Sequence, residues 1–112
     1  MVAHPDFSPD NNVSRFALLV EYDGRAFSGS QKQRAPIKTV ESALESSLNK
    51  LQIQQTYPFV FAGRTDAGVH AKGQVVRIDL PKQSITSIQD LRAALNATLP
   101  PEISIKQCLQ TN

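Results

Sequence analysis

An arginine and an aspartate stand two residues apart in the segment GRTDAGVHA, residues 63–71, where a simple turn would need neither. A carboxylate such as Asp66 can act as a nucleophile or stabilise a developing positive charge. Arg64 can pair with that carboxylate and keep it ionised, or it can bind a phosphate group through two parallel hydrogen bonds. The spacing is therefore compatible with a reactive site built on one carboxylate.

Three further residues of this segment suit a binding site for a polar ligand. Thr65 offers a hydroxyl group, His70 offers a hydrogen-bond donor near the rim, and Gly68 allows a ligand to approach the backbone closely. Asp-Ala-Gly is also ordinary hairpin chemistry, because Asp bonds its own backbone and Gly accepts a positive φ. The residue types alone leave a catalytic site and a simple turn both open.

A second feature is a run of basic residues between positions 24 and 38. Arg25, Lys32, Arg34 and Lys38 occur there with no acidic residue among them. Such a patch is large enough to contact a few phosphate groups. A solvated loop that happens to carry cations is the alternative interpretation.

Six elements are predicted to position these residues. They are a strand at 15–22, a helix at 40–51 after an N-cap at Thr39, strands at 57–63 and 73–80, a helix between an N-cap at Ser87 and a stop at Pro100, and a strand at 102–109. In the third strand Val76, Ile78 and Leu80 are expected to face inward, and Arg77 and Asp79 outward. The order β-α-β-β-α-β is typical of an α+β, ferredoxin-like fold, with an antiparallel sheet and both helices on one face.

Composition narrows the class of protein. The chain has 112 residues, a net charge of +2, one cysteine and no apolar run long enough to cross a membrane. These features favour one globular domain of a reducing, cytoplasmic compartment, with residues 1–13 as a flexible leader and residues 14–112 as the folded unit. His4, His70 and Cys108 lack the spacing of metal ligands, and there is no phosphate-binding glycine loop, so neither a metal nor a nucleotide cofactor is expected.

Four blocks of this sequence resemble the N-terminal half of the tRNA pseudouridine synthase A family. They are EYDGRAFSGSQ, TVESALESSLNKL, AGRTDAGVHAKGQVV and ALNATLPPEISI, and the third is nearly identical to the family's catalytic motif. The resemblance extends from residue 15 to about residue 109. A fold of this kind hosts many functions, so the functional expectation depends on the motif residues.

The resemblance implies that Asp66 is the catalytic aspartate and that Arg64 is its ion-pair partner. It implies isomerisation of uridine to pseudouridine in the anticodon stem-loop of tRNA (positions 38–40), without metal or cofactor. Asp66 would attack C1′ of the ribose or remove a proton from C2′, and the sequence does not choose between these routes. The residues expected to contact RNA are Arg25, Lys32, Arg34, Thr65, Gly68 and His70.

Two departures from the family leave alternatives open. Ser30 stands where the family usually has tryptophan, so a packing contact or an RNA contact is lost. The family also has a second domain that supplies a tyrosine to the active-site cleft, and this chain ends before it. The chain is therefore expected to be a fragment, half of a split enzyme or a short relative, completed by a homodimer or by a C-terminal domain. A non-catalytic RNA-binding or dimerising module and a purely structural domain are the rival interpretations.

Overall fold

A computed structural model describes residues 11–30, 39–63, 71–86 and 88–111. Its elements are β1 (Val13–Tyr22), a 3-10 turn (Gly24–Ala26), α1 (Val40–Lys50), β2 (Tyr57–Phe61), β3 (Ala71–Pro81), α2 (Lys82–Ile85), α3 (Leu91–Thr98) and β4 (Ile103–Gln110). The strands form one sheet in the order β2-β3-β1-β4, and every neighbouring pair is antiparallel. The predicted α+β, ferredoxin-like arrangement is confirmed.

The core lies between the helices and one face of the sheet. Alternate residues of β1 and β3 are buried, and Leu18 and Val76 among them are at most 1% exposed and pack with Leu44 of α1 and Leu95 of α3. This alternation confirms the inward face predicted for β3. The start of α1 is also confirmed, because the side chain of Thr39 accepts a hydrogen bond from the backbone of the helix's first turn.

The start of the last long helix differs from the prediction. The Asp90 carboxylate accepts a hydrogen bond from the backbone N–H of Ala93 at 3.0 Å, so Asp90 is the N-cap and α3 begins at Leu91. The predicted capping box, with its N-cap at Ser87, is therefore wrong, although residue 87 itself lies outside the described residues. Asp and Ser are both good N-caps, so residue type alone does not choose between Ser87 and Asp90.

Asp79 also needs a correction. Its side chain points away from the helices, as predicted, but it is fully buried. Arg15 lies directly opposite on β1 and donates from Nε to the carboxylate at 2.7 Å, and Nε of Arg77 lies 3.5 Å from the other oxygen. An ion pair between strands thus fills part of the face that the helices leave uncovered.

The predicted leader falls largely on residues 1–10, which lie outside the described residues. β1 begins at Val13, two residues earlier than predicted. The backbone carbonyl of Asn12 accepts a hydrogen bond from Lys82 at 2.9 Å, so the chain is already attached to the domain at that residue.

Candidate functional site

One end of the sheet holds the described residues that adjoin the predicted site. Tyr22, the last residue of β1, pairs with Ala71 at the start of β3 and with Ile103 at the start of β4. β2 ends nearby at Phe61, opposite Val76 of β3. Ala71, at the start of β3, therefore lies beside the strand end that leads into the turn after β1.

The segment itself, residues 64–70, lies outside the described residues. The calls on Arg64, Thr65, Asp66, Gly68 and His70 fall on it and stay predictions. The same holds for Lys32 and Arg34 in the basic loop. What the structure does describe is how the two roots of the segment, Gly63 and Ala71, are held.

The first root is held by a side chain that sequence analysis missed. The amide of Gln74 accepts a hydrogen bond from the backbone N–H of Gly63 at 3.2 Å and donates one to its carbonyl at 2.8 Å. Gln74 is only 8% exposed. The sequence did contain a sign of this contact. Gln74 is a polar residue at an inward position of β3, where the next inward residues are Val76 and Ile78.

The turn after β1 carries Arg25, the one predicted RNA-contacting residue that falls within the described ranges. Asp23 caps the turn by accepting a hydrogen bond from the backbone N–H of Arg25 at 3.0 Å. The guanidinium group donates to the same carboxylate, with Nη2 2.6 Å from Oδ2. Hydrogen bonding to Asp23, together with its charge, raises the pKa of Arg25 above its ordinary value, so the side chain stays cationic.

This pairing changes the predicted charge of the patch. The acid-free run was counted from residue 24, yet Asp23 stands one residue earlier and balances Arg25. The guanidinium group is nevertheless open to solvent, because the side chain of Arg25 is 79% exposed. Arg25 can therefore exchange its carboxylate partner for a phosphate without leaving the surface.

Ser30, at the family's tryptophan position, is a packing position. It is fully buried, and its carbonyl accepts a hydrogen bond from the backbone N–H of Glu41 in α1 at 2.8 Å. Gly29, with a φ of 92°, accepts another from Val40. In this protein the residue at position 30 is therefore buried inside the domain.

Three further observations concern the part of the chain that the structure describes. It holds no group of three or more His, Cys, Asp or Glu side chains that could bind a metal ion. Burial, and then the charge of Asp90, raises the pKa of Cys108 to about 11, so this thiol is a poor nucleophile at neutral pH. No described helix is long and apolar enough to span a membrane.

Comparisons with known proteins agree on one family. A family model described as tRNA pseudouridine synthase matches residues 18–111. The chain is 40% identical over 98 residues to tRNA pseudouridine synthase A of Thermotoga neapolitana, which covers 88% of this chain and 39% of that protein. It is 41% identical over 96 residues to the enzyme of the same name from Streptococcus mutans, which covers 86% and 37%. The chain thus spans about two fifths of the length of these relatives.

Proposed function

Because this chain belongs to the tRNA pseudouridine synthase family, we propose that it supplies the catalytic aspartate of an enzyme that isomerises uridine to pseudouridine in tRNA. The observation that carries the proposal is the family match, which runs through the whole of the segment 61–71 and both strands beside it. Ala71, which follows that segment, pairs with Tyr22 just before the solvent-exposed Arg25 turn, and this exposure suits a site that must receive a nucleic acid.

A single carboxylate is enough for this reaction. The bond between N1 of uracil and C1′ of ribose must break, the base must turn, and C5 must bond to C1′ with loss of the C5 proton. Glycosidases use a second carboxyl group to protonate the leaving group. Uracil leaves as a delocalised anion, so Asp66 can act alone, by attack on C1′ or by removing a proton from C2′. Arg64 keeps Asp66 ionised at neutral pH by pairing with it.

The substrate we propose is the anticodon stem-loop of tRNA, at positions 38–40. Turning a base out of its stack costs on the order of a few kcal/mol, and phosphate contacts by Arg25, Lys32 and Arg34 would offset part of that cost. Thr65, Gly68 and His70 would contact the extruded nucleotide. We further propose that the reaction takes place in the cytoplasm, where tRNA is matured.

The test measures release of tritium from tRNA whose uridines carry tritium at C5, with the protein expressed from its complete reading frame. Formation of the bond between C5 and C1′ expels that hydrogen, so release reports the isomerisation itself. The control tRNA has cytidine in place of uridine at positions 38–40. Release from the first tRNA and none from the second is the expected result. Equal release from both would overturn the proposed position of the target.

The rival function is a non-catalytic RNA-binding or dimerising module, and the exposed guanidinium group of Arg25 would suit that function as well. That module would bind tRNA with an affinity that falls steeply with salt, and would release no tritium. A homodimer is one arrangement in which two copies could build a cleft, and sedimentation with and without tRNA distinguishes it from a monomer.

A further inference from the structure

Gln74 occupies a position where the fold expects an apolar side chain. It lies directly opposite Val20 of β1, so it shares the core-facing side of the sheet with that fully buried residue. Burial of an amide is unfavourable unless its polar atoms find hydrogen-bond partners. Both polar atoms of Gln74 are satisfied by one residue, Gly63, at 3.2 Å and 2.8 Å.

Through its two hydrogen bonds to Gly63, the side chain of Gln74 extends the backbone pairing between β2 and β3 by one residue. Backbone pairing between the strands reaches Ala62, whose N–H donates to the carbonyl of Val75 at 2.9 Å. The amide of Gln74 has one donor side and one acceptor side, as a peptide group does, and it carries the pairing on to Gly63. One hydrogen bond would fix a distance, whereas two also fix the rotation of the Gly63 backbone.

The next residue along the chain is Arg64, and Asp66 follows two residues later. The clamp therefore fixes the backbone of Gly63, the residue from which the reactive segment continues. Gly63 is exposed, so without Gln74 its backbone groups could bond to water. Loss of Gln74 would therefore leave the backbone groups of Gly63 hydrogen-bonded to water, but the orientation of the segment would no longer be fixed.

We propose that Gln74 is a positioning residue for the reaction: it clamps Gly63 and thereby holds Arg64 and Asp66 in the geometry that isomerisation needs. The inference rests on the proposed function, in which Asp66 carries the chemistry. Its expected size follows from the sensitivity of catalysis to placement, because an error of about 1 Å costs on the order of 100-fold in rate.

The chain offers a matched control. Asn96 of α3 makes the same kind of clamp on β4, where its amide accepts from the N–H of Ile105 at 2.7 Å and donates to its carbonyl at 3.0 Å. This second clamp joins a helix to the interior of a strand. Asn96→Leu therefore removes an equivalent pair of hydrogen bonds without touching the roots of residues 64–70.

The first experiment compares Gln74→Leu, Gln74→Glu and Asn96→Leu in the protein from its complete reading frame, at a temperature where all are folded. For Gln74→Leu we expect kcat to fall by roughly 10- to 100-fold, with KM changed by less than about threefold. Gln74→Glu keeps the acceptor for the N–H of Gly63 but sets a carboxylate oxygen against its carbonyl oxygen, so its kcat should fall at least as far as that of Gln74→Leu. Asn96→Leu should lower thermal stability and leave kcat within about twofold. Equal kcat values for Gln74→Leu and Asn96→Leu would overturn the proposal.

The second experiment needs no activity. Amide hydrogen exchange of this chain should show faster exchange at Gly63 and at residues 64–70 in Gln74→Leu, by about tenfold or more, with Val76 unchanged. Asn96→Leu should leave Gly63 at its wild-type rate. Unchanged exchange at Gly63 in Gln74→Leu would overturn the clamp. Full activity of Asp66→Ala would instead overturn the proposed function, and the exchange result would still decide whether Gln74 holds the segment.

Discussion

Replacement of Asp79 by alanine should destabilise this domain more than any surface change. The carboxylate is completely buried, and it lies 2.7 Å from Nε of Arg15 and 3.5 Å from Nε of Arg77. Its removal leaves two guanidinium groups in a largely dry environment with their shared anion gone. The pair also joins β1 to β3, the two central strands that lead to the candidate site.

The magnitude follows from the burial of each partner. Removing one member of a buried ion pair typically costs ~3–5 kcal/mol. The side chains of Arg15 and Arg77 are 9% and 23% exposed, so water can reach part of each group, and the lower end of that range applies. A loss of about 3 kcal/mol corresponds to a fall in Tm of roughly 12 °C for a domain of this size.

The assay is urea or thermal unfolding followed by circular dichroism, with Glu21→Ala as the matched control. Glu21 lies on β1 and faces Lys106 at 3.9 Å, with both side chains 47% exposed, so its loss should cost about 0–1 kcal/mol. The double variant Arg15→Met/Asp79→Leu should be more stable than Asp79→Ala, because it leaves fewer charges buried without their anion. Equal losses for Asp79→Ala and Glu21→Ala would refute the reasoning.

Three further predictions follow from the described contacts. Thr39→Ala removes the N-cap of α1 and should cost ~0.5–2 kcal/mol in the free energy of unfolding, measured by urea denaturation; no loss would contradict the cap. Arg25→Ala should weaken tRNA binding and lower the slope of log K against log salt by about 1; it should leave Tm unchanged, because the side chain is exposed. Lys82→Ala, about 33 Å away along β3, is its control, and equal effects of the two would exclude a specific contact. With a pKa of about 11, Cys108 should react with a thiol reagent about tenfold faster for each pH unit from 8 to 10, and a plateau by pH 9 would contradict that pKa.

Local signals made the architecture predictable. The element order was predicted from the alternation of apolar residues along β1 and β3 and from the cap at Thr39. Each of these patterns depends only on neighbours in sequence. The predicted start of α3 was wrong because Ser and Asp are both good N-caps, and residue type alone does not select between Ser87 and Asp90. The burial of Asp79 was missed because its partner, Arg15, is 64 residues away in sequence.

The family was predictable from the motif, whereas the contacts that hold the residues beside it were not. The motif around Asp66 identified the family, and the comparisons confirm that family. The clamp by Gln74 was missed because it depends on a contact between two strands. The pairing of Arg25 with Asp23 was missed because Asp23 lies one residue before the acid-free stretch, which was counted from residue 24. The roles of Arg64 and Asp66 remain predictions.

The most direct test of the central claim is a comparison of wild type, Asp66→Ala and Asp66→Asn in the tritium-release assay, with tRNA binding measured in parallel. The account predicts that both variants bind tRNA with a Kd within about threefold of wild type and release no tritium above background. Release by Asp66→Ala at a rate close to that of wild type would contradict it, because the reaction would then not depend on this carboxylate.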